Sequence, residues 1–270
     1  VEYYRNALTL CEEGNSVEDK YKLECYHGMG CLEYELGNYE QALEHFKKIQ
    51  DADVSTISES DKGLIRDLYL AMAVLYNEFD DYDTSDDYVG KALKISEEVD
   101  DYYSHERAAV LRQSAYNYAN RRNFIKAEEF YLMALDINLK INSRIHPDVA
   151  GLYNDLGLVY EEQSKANEAL GCHNEALNIR LALFGEQHPD VSNSYNSMAS
   201  IYARYKMYDE AMRLYNKALE IRLAVLGENH DAVATVYNNI ATIHANEGRY
   251  KEARENFTRA LDIFISILGD

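Results

Sequence analysis

Two stretches of this sequence, ALNIRLALFGEQHPDV at residues 176–191 and ALEIRLAVLGENHDAV at residues 218–233, are near copies that lie 42 positions apart. The same spacing of 42 links small residues at Ala127, Ala169, Ala211 and Ala253. Earlier in the chain this register falls on Ser85 and, after one step of 43, on Ala42. A second small-residue series runs seven positions later, through Ala7, Ile49, Ala92, Ala134, Ala176, Ala218 and Ala260. A unit this short cannot bury its apolar face alone, so the period predicts a solenoid of stacked copies.

Each repeat is predicted to form two helices. Between Leu152 and Tyr160 apolar and aromatic residues follow the i, i+3, i+4, i+7 rule, and a polar break precedes a second periodic run. Gly185 ends that run, and Pro189 followed by Asp190 suits the first turn of the next helix. The individual helices are predicted at 18–35, 38–50, 61–79, 82–99, 104–120, 123–141, 147–163, 166–184, 189–205, 208–226, 231–247 and 250–268.

The domain prediction is a single solenoid over residues 1–270. Residues 1–13 are predicted to form the second helix of an incomplete repeat. Six helix pairs follow, at 18–50, 61–99, 104–141, 147–184, 189–226 and 231–268. Because the chain starts at Val1 and ends at Asp270 without a visible polar cap, we expect either part of a longer protein or a solenoid that lacks its cap. Self-association through the uncapped ends is one alternative that follows.

Composition restricts the partners. The net charge is −20, and most of the acidic excess lies before residue 105, so nucleic acid and anionic membranes are disfavoured and a partner with basic character is favoured. No run of 18 apolar residues is present that could cross a membrane. The four cysteines, Cys11, Cys25, Cys31 and Cys172, match no metal or redox motif, which indicates free thiols in a reducing, cytoplasmic setting.

The repeated positions resemble those of the tetratricopeptide repeat. The last repeat carries the pattern at Tyr237, Ile240-Ala241, His244, Gly248-Arg249-Tyr250, Ala253, Phe257 and Ala260. The first pair carries it at Tyr26, Met29-Gly30, Gly37-Asn38-Tyr39, Ala42 and Phe46. The 42-residue spacing is similar to the subtype found in kinesin light chains. This resemblance implies an all-α α-solenoid, a right-handed superhelix of stacked antiparallel helix pairs, that binds proteins or peptides.

The resemblance also implies a concave groove lined by the first helix of each pair. Projected onto this sequence, the groove residues are Arg112, Gln113, Tyr116, Asn154, Asp155, Asn193, Asn196, Ser197, Ser200, Arg204, Asn238, Asn239 and Thr242. Arg112 and Arg204 are too far apart to form the basic clamp of members that bind chaperone tails, so such a tail is not expected.

Three asparagines at one phase are the sharpest functional signal. Asn154, Asn196 and Asn238 occupy matching positions, although asparagine is a poor residue for a helix interior. A carboxamide both donates and accepts, which suits contact with the backbone of an extended peptide. The alternative is that these side chains are solvated or bond between neighbouring helices. Acids at Asp155, Glu161 and Glu162 favour a positively charged ligand, or form a solvated helix face.

Other polar groups have plainer interpretations. The recurring His146, His188 and His230 cannot converge on one metal ion because stacked repeats are translated, so they are predicted to pack the turns. His173 and His244 occupy aromatic positions and are predicted to be core histidines. The acidic run at residues 80–87 lacks the glycine and distal glutamate of a calcium loop.

The function predicted from these observations is a protein- or peptide-binding scaffold that captures an extended segment of a partner. No catalytic grouping, cofactor motif or metal motif is present in the sequence, so an enzyme is not expected. The alternatives are a peptide-sensing regulatory domain, or a substrate-recruiting arm, of a larger bacterial or protist signalling protein or enzyme. Ile49 and Ser85 mark the least regular repeats, so the first hundred residues are expected to open first.

Overall fold

The computed structural model describes residues 19–50 and 62–268. Within these residues every regular element is an α-helix. The helices are α1 Asp19–Glu35, α2 Tyr39–Gln50, α3 Lys62–Glu78, α4 Tyr82–Val99, α5 His105–Asn120, α6 Phe124–Ile141, α7 Pro147–Glu162, α8 Ala166–Phe184, α9 Pro189–Arg204, α10 Tyr208–Leu226, α11 Asp231–Asn246 and α12 Tyr250–Leu268. Each end lies within one residue of its predicted position. The predicted helix at 1–13 lies outside the described residues.

Consecutive helices pack as antiparallel pairs, and within each compact unit the second helix of a pair packs on the first helix of the next pair, as in an α-solenoid of the predicted type. The chain divides into two compact units, the first ending at Ile141 and the second starting at Asn142. In both units, direct contacts also join first helices of adjacent pairs: α1 with α3, α3 with α5, and α9 with α11. The single solenoid over the whole chain stays a prediction.

The small-residue series marks the closest helix contacts. Ala42, Ala127, Ala169 and Ala211 are completely buried, and Ala253 is nearly so. Aromatic and aliphatic side chains fill the space beside them, for example Tyr215 and Ile240 beside Ala211 in the second unit. Small residues at fixed positions let the helix backbones approach, and the larger neighbours then pack as knobs into the remaining holes.

All six pairs close through the same three-residue turn. The middle residue of each turn has a positive φ, at Gly37, Asp80, Arg122, Ser164, Lys206 and Gly248. The amide after it donates to the carbonyl five residues earlier, as in Asn38 to Glu33 at 2.8 Å and Lys165 to Tyr160 at 2.9 Å. This is the Schellman arrangement, which satisfies carbonyls at the end of a helix.

Candidate functional site

The predicted groove residues lie on first helices in two separate units. Arg112, Gln113 and Tyr116 are on α5 in the first unit. All the others are on α7, α9 and α11 in the second unit. We call the following set of them the amide face: Asn154, Asp155, Asn196, Ser197, Ser200, Asn238, Asn239 and Thr242.

The three phased asparagines differ in their hydrogen bonding. Asn196 Oδ1 accepts a hydrogen bond from Asn239 Nδ2 at 3.3 Å, which joins α9 to α11. The side-chain amides of Asn154 and Asn238 make no hydrogen bond within residues 19–50 and 62–268; Asn154 is half-buried and Asn238 is exposed. Both sequence-based interpretations therefore have a counterpart on this face: one amide bonds between helices, and two have unused donors and acceptors.

The hydroxyl groups of the amide face are held by the protein. Ser200 Oγ and the Tyr215 hydroxyl lie 2.9 Å apart, and burial raises the pKa of Tyr215. Thr242 Oγ1 donates to the backbone oxygen of Asn238 at 2.9 Å. These bonds fix side-chain rotamers next to the asparagines, so the face is preorganised rather than loose.

Asn193 is placed by an arginine of the neighbouring second helix. Arg222 on α10 donates to Asn193 Oδ1 at 2.9 Å, to Ser192 Oγ at 3.1 Å and to the backbone oxygen of Ala232 at 2.6 Å. Burial lowers the pKa of Arg222, and each of its three nitrogens donates one of these hydrogen bonds. The side-chain oxygen of Asn193 is thus occupied within the fold.

Arg180, one repeat earlier on α8, has an equivalent role. Its Nη1 donates to Ser194 Oγ at 2.7 Å and to the backbone oxygen of Asp190 at 3.4 Å, both on α9. Burial lowers its pKa as well. We call Arg180 and Arg222 the arginine clamps, because each ties a second helix to first-helix residues of an adjacent pair.

Glu161 is not available to a positively charged ligand, contrary to the sequence-based expectation. Its Oε1 lies 2.9 Å from His173 Nε2, and its Oε2 accepts from Arg204 Nη2 at 3.3 Å. Arg204, expected as a groove cation, also donates to the backbone oxygen of Glu161 at 3.3 Å. The charges of Arg204 and Glu161 compensate each other, because Arg204 at the end of α9 lies beside Glu161 at the end of α7.

His173 is a core residue, as predicted. Its side chain is completely buried, in the position that Tyr215 occupies one repeat later. Gly157 makes room for it: a Cβ at that glycine would lie 2.6 Å from His173 Cε1. The imidazole is therefore enclosed by close packing and bonded through one nitrogen to Glu161.

In the first unit, sequence reasoning missed a buried carboxamide. Gln113 Nε2 donates at 3.0 Å to Asn117 Oδ1, and Asn77 Nδ2 donates to the same oxygen at 3.0 Å. Asn117 Nδ2 in turn donates to Ser85 Oγ and to Asp86 Oδ1, each at 2.9 Å. Asn117 has no exposed surface, so all four of its hydrogen bonds lie inside the protein.

A sequence signal for Asn117 existed. Its register position is aliphatic in other repeats, at Leu75, Val159, Ile201 and Ile243, all of them buried. Ser85 explains the partner: it replaces the usual alanine, is completely buried, and donates to the backbone oxygen of Ala73 at 2.8 Å. The irregular serine thus belongs to a polar network that spans α3, α4 and α5, in which Asn77 Oδ1 is buried without a partner.

The recurring histidines cap helices. Nδ1 of His146 accepts from the amide of Asp148, Nδ1 of His188 from that of Asp190, and Nδ1 of His230 from that of Ala232, at 3.1 to 3.2 Å. Each ring therefore satisfies an amide that the first turn of a helix leaves unpaired.

The acidic run at residues 80–87 has structural roles too. Asp81 caps α4 by accepting from the amide of Thr84 at 3.1 Å, which lowers the pKa of Asp81 together with the bond from the Thr84 hydroxyl. Asp83 and Asp86 both pair with Arg121. Across residues 19–50 and 62–268, no three histidine, cysteine or acidic side chains cluster in a way that could hold a metal ion, and no helix has the length and apolarity to cross a membrane.

Family comparison agrees with this architecture. Two family models described as tetratricopeptide repeat match the chain, one over residues 148–224 and 196–266 and the other over residues 23–53. Together they cover more than half of it. The chain belongs to the tetratricopeptide repeat family. No curated protein matches the sequence.

Solved structures with the same fold include relatives of kinesin light chains. BtubC (BKLC) from P. vanneervenii superposes with a TM-score of 0.69 at 22% identity, covering 88% of this chain and 93% of that one. A putative kinesin light chain from Podosopora anserina, with nearly identical repeats, gives 0.66 at 17% identity, covering 77% and 99%. A Rap protein complexed with Competence and Sporulation Factor gives 0.64 at 16% identity, covering 99% and 80%. At these identities the likeness establishes the fold.

Proposed function

We propose that this tetratricopeptide repeat protein is a binding scaffold that holds an extended segment of a partner protein on the amide face. The observation that carries the proposal is the pair Asn154 and Asn238, at one phase two repeats apart, whose carboxamides have no partner within the described residues. Asparagine at such interior helix positions costs helix stability, so its recurrence there favours a ligand-binding role.

The amide face suits a peptide backbone. Carboxamides pair with both the N–H and the C=O groups of an extended chain, independently of its side chains. Leu158, 48% exposed on α7, occupies the register of Ser200 and Thr242 and offers an apolar contact beside the amides. We infer that the bound segment places at least one apolar side chain against Leu158.

Charge sets a further preference. Because Glu161 is bonded to Arg204 and His173, this carboxylate does not define the charge of the ligand. The net charge of −20 instead acts at longer range and favours a partner whose flanking residues are basic. Such steering changes the association rate and weakens with salt.

A regulatory role is the second candidate. A Rap protein of the same fold was solved in complex with Competence and Sporulation Factor. On that analogy, a bound factor would alter how a larger protein acts, and the repeats would sense it rather than catalyse a reaction. We place such a protein in a reducing, cytoplasmic compartment, in keeping with Cys25, Cys31 and Cys172, which form no disulfide within the described residues.

The proposal is tested by peptide selection followed by affinity measurement. A random peptide library displayed on phage is enriched on the purified protein, and the dissociation constants of the selected peptides are measured by calorimetry. For Asn154→Ala/Asn238→Ala we expect affinity to fall about 10- to 100-fold, or about 1–3 kcal/mol, because peptide groups lose their partners.

The matched control is Asn174→Ala/Asn216→Ala. These asparagines also share one register of the repeat, but they are exposed on the second helices α8 and α10. We expect no loss of affinity for this variant. Equal affinities of the two double variants, with both folded by circular dichroism, would show that the ligand binds elsewhere.

A further inference from the structure

A cavity of about 560 Å³ opens at the turn edge of the second unit. Its apolar walls come from the start of α8, the end of α9 and the turn after α9. The residues that form these walls are Ala166, Leu170, Ile201, Tyr202, Tyr205 and Met207. Pockets that bind small ligands or side chains have volumes of about 300–1,000 Å³.

The repeat register explains why the cavity is there. The first residue of the second helix is aromatic in every other described pair, at Tyr39, Tyr82, Phe124, Tyr208 and Tyr250. In the pair α7–α8 the same position is Ala166. The ring found at this position in the other pairs is therefore absent from this pair, and the space beside Ala166 stays open.

An equivalent contact in the first unit shows what the absent ring would touch. Tyr39 packs on Phe79, the first residue of the next turn, with ring centroids 6.4 Å apart and an interplanar angle of 84°. Tyr205 holds the register position of Phe79 in the second unit. Within the described residues no aromatic ring stacks on Tyr205, which is 50% exposed, and its hydroxyl donates to the backbone oxygen of Ser164 at 3.4 Å.

We propose that this cavity, which we call the Ala166 pocket, binds an aromatic side chain of a partner polypeptide. The incoming ring would take the place that Tyr39 has in the first unit and would pair edge to face with Tyr205. Such aromatic pairs add to the free energy of burial when the ring centroids are 4.5–7 Å apart. The Met207 thioether, half exposed beside Tyr205, offers a sulfur contact to the same ring.

The rim makes the pocket selective for an uncharged ring. Lys165 and Glu168 line it with one charge of each sign, so a net charge on the ligand gains nothing. The site is separate from the amide face and does not rest on the proposed function. A partner that engages both would gain affinity from two linked contacts.

Nuclear magnetic resonance on the whole chain tests the pocket without a known partner. The methionine methyl groups are labelled with carbon-13, and p-cresol is added as the tyrosine side-chain analogue. We expect a saturable upfield shift of the Met207 methyl signal, with a dissociation constant on the order of 1 mM. Met72, buried in the first unit, serves as the internal reference and should not move.

Three variants, one of them a control, decide the outcome. Ala166→Tyr restores the repeat aromatic and should abolish the p-cresol shift while raising the melting temperature, whereas Asn174→Tyr on the exposed face of α8 should leave the shift unchanged. Tyr205→Ala should weaken p-cresol binding several-fold without filling the pocket. Acetyl-Gly-Tyr-Gly-amide should bind and acetyl-Gly-Leu-Gly-amide should not. Absence of the Met207 shift up to the solubility limit, or an equal shift in Ala166→Tyr, would overturn the proposal.

Discussion

The two compact units connect adjacent helix pairs through different side chains. In the first unit a carboxamide is central: Asn117 makes four hydrogen bonds, one of them to the Asp86 carboxylate, and has no exposed surface. In the second unit the arginine clamps make this connection: Arg180 and Arg222 each donate a hydrogen bond from a second helix to the first helix of the next pair. One repeat period thus accommodates either solution.

The difference shows that an irregular repeat is not automatically a weak one. Ser85 breaks the alanine series, but its hydroxyl both donates to Ala73 and accepts from Asn117. A network of this kind strengthens packing when complete and is costly when one member is lost. The expectation that the first hundred residues open first stays a prediction, and the network gives it a sharper form.

The largest expected effect is that of removing the carboxamide. Asn117→Leu keeps the side-chain size and leaves Ser85, Asp86 and Asn77 without a shared partner. We expect the free energy of unfolding to fall by about 3 kcal/mol, since each buried polar group left unpaired costs about 1–3 kcal/mol. Urea unfolding measures the loss, and hydrogen exchange assigns it to residues 62–141. Asn120→Leu, at an exposed position of the same helix, is the control; an equal loss there would mean that the network adds no stability.

A smaller loss is expected from the arginine clamp. Arg222→Met retains the aliphatic packing but removes three hydrogen bonds, so we expect a destabilisation of about 2 kcal/mol, because water can reach some of the released acceptors. Faster hydrogen exchange should appear in α9 and α11. Arg213→Met is the matched control, since Arg213 only pairs with Glu210 on the surface of the same helix. Equal losses of unfolding free energy in Arg222→Met and Arg213→Met would show that the arginine clamp adds no stability, and the comparison between the two units would then fail.

The smallest effect concerns alkaline pH in the first unit. Burial, with the hydrogen bond from the Tyr34 hydroxyl to Glu78 Oε1, raises the pKa of Tyr34 to about 12 from an ordinary value of 10.0. The folded state holds this proton more tightly, so the contribution is complete below pH 10 and is lost as the pH rises to about 12. After a discount for solvent screening we expect less than about 1 kcal/mol. Tyr34→Phe should flatten the stability profile in this window. Tyr21→Phe, an exposed site on the same helix, should not change it.

The parts of the fold that depend on local pattern were predictable. Helix ends follow from Gly185, Pro189 and the small-residue phase, and the observed bounds agree to within one residue. The shared register of Asn154 and Asn238 was also predictable from the sequence. The role of Glu161 was not predictable, because its partners Arg204 and His173 come from two other helices. Spacing along the chain specifies which face a residue is on, but not which neighbour reaches it first.

The departures from the repeat were visible but could not be interpreted from sequence alone. Asn117 in an aliphatic register and Ala166 in an aromatic one are both evident when the repeats are aligned. Their meanings are opposite: one position is filled by partners, and the other leaves a cavity. The structure distinguishes the two cases, because it places Ser85 as a hydrogen-bond partner of Asn117 and Tyr205 at the wall of the cavity beside Ala166.

The uniform turn inside each pair has a consequence for how such a chain can lengthen in evolution. Three residues and one left-handed backbone position close every hairpin, whether the middle residue is Gly37 or Lys206. Among the described residues the connections between pairs vary instead, with four residues at 185–188 and 227–230 and five at 100–104 and 142–146. The hairpin is thus the unit that gene duplication can copy. A whole hairpin can be inserted at a connection between pairs without changing the turn inside it.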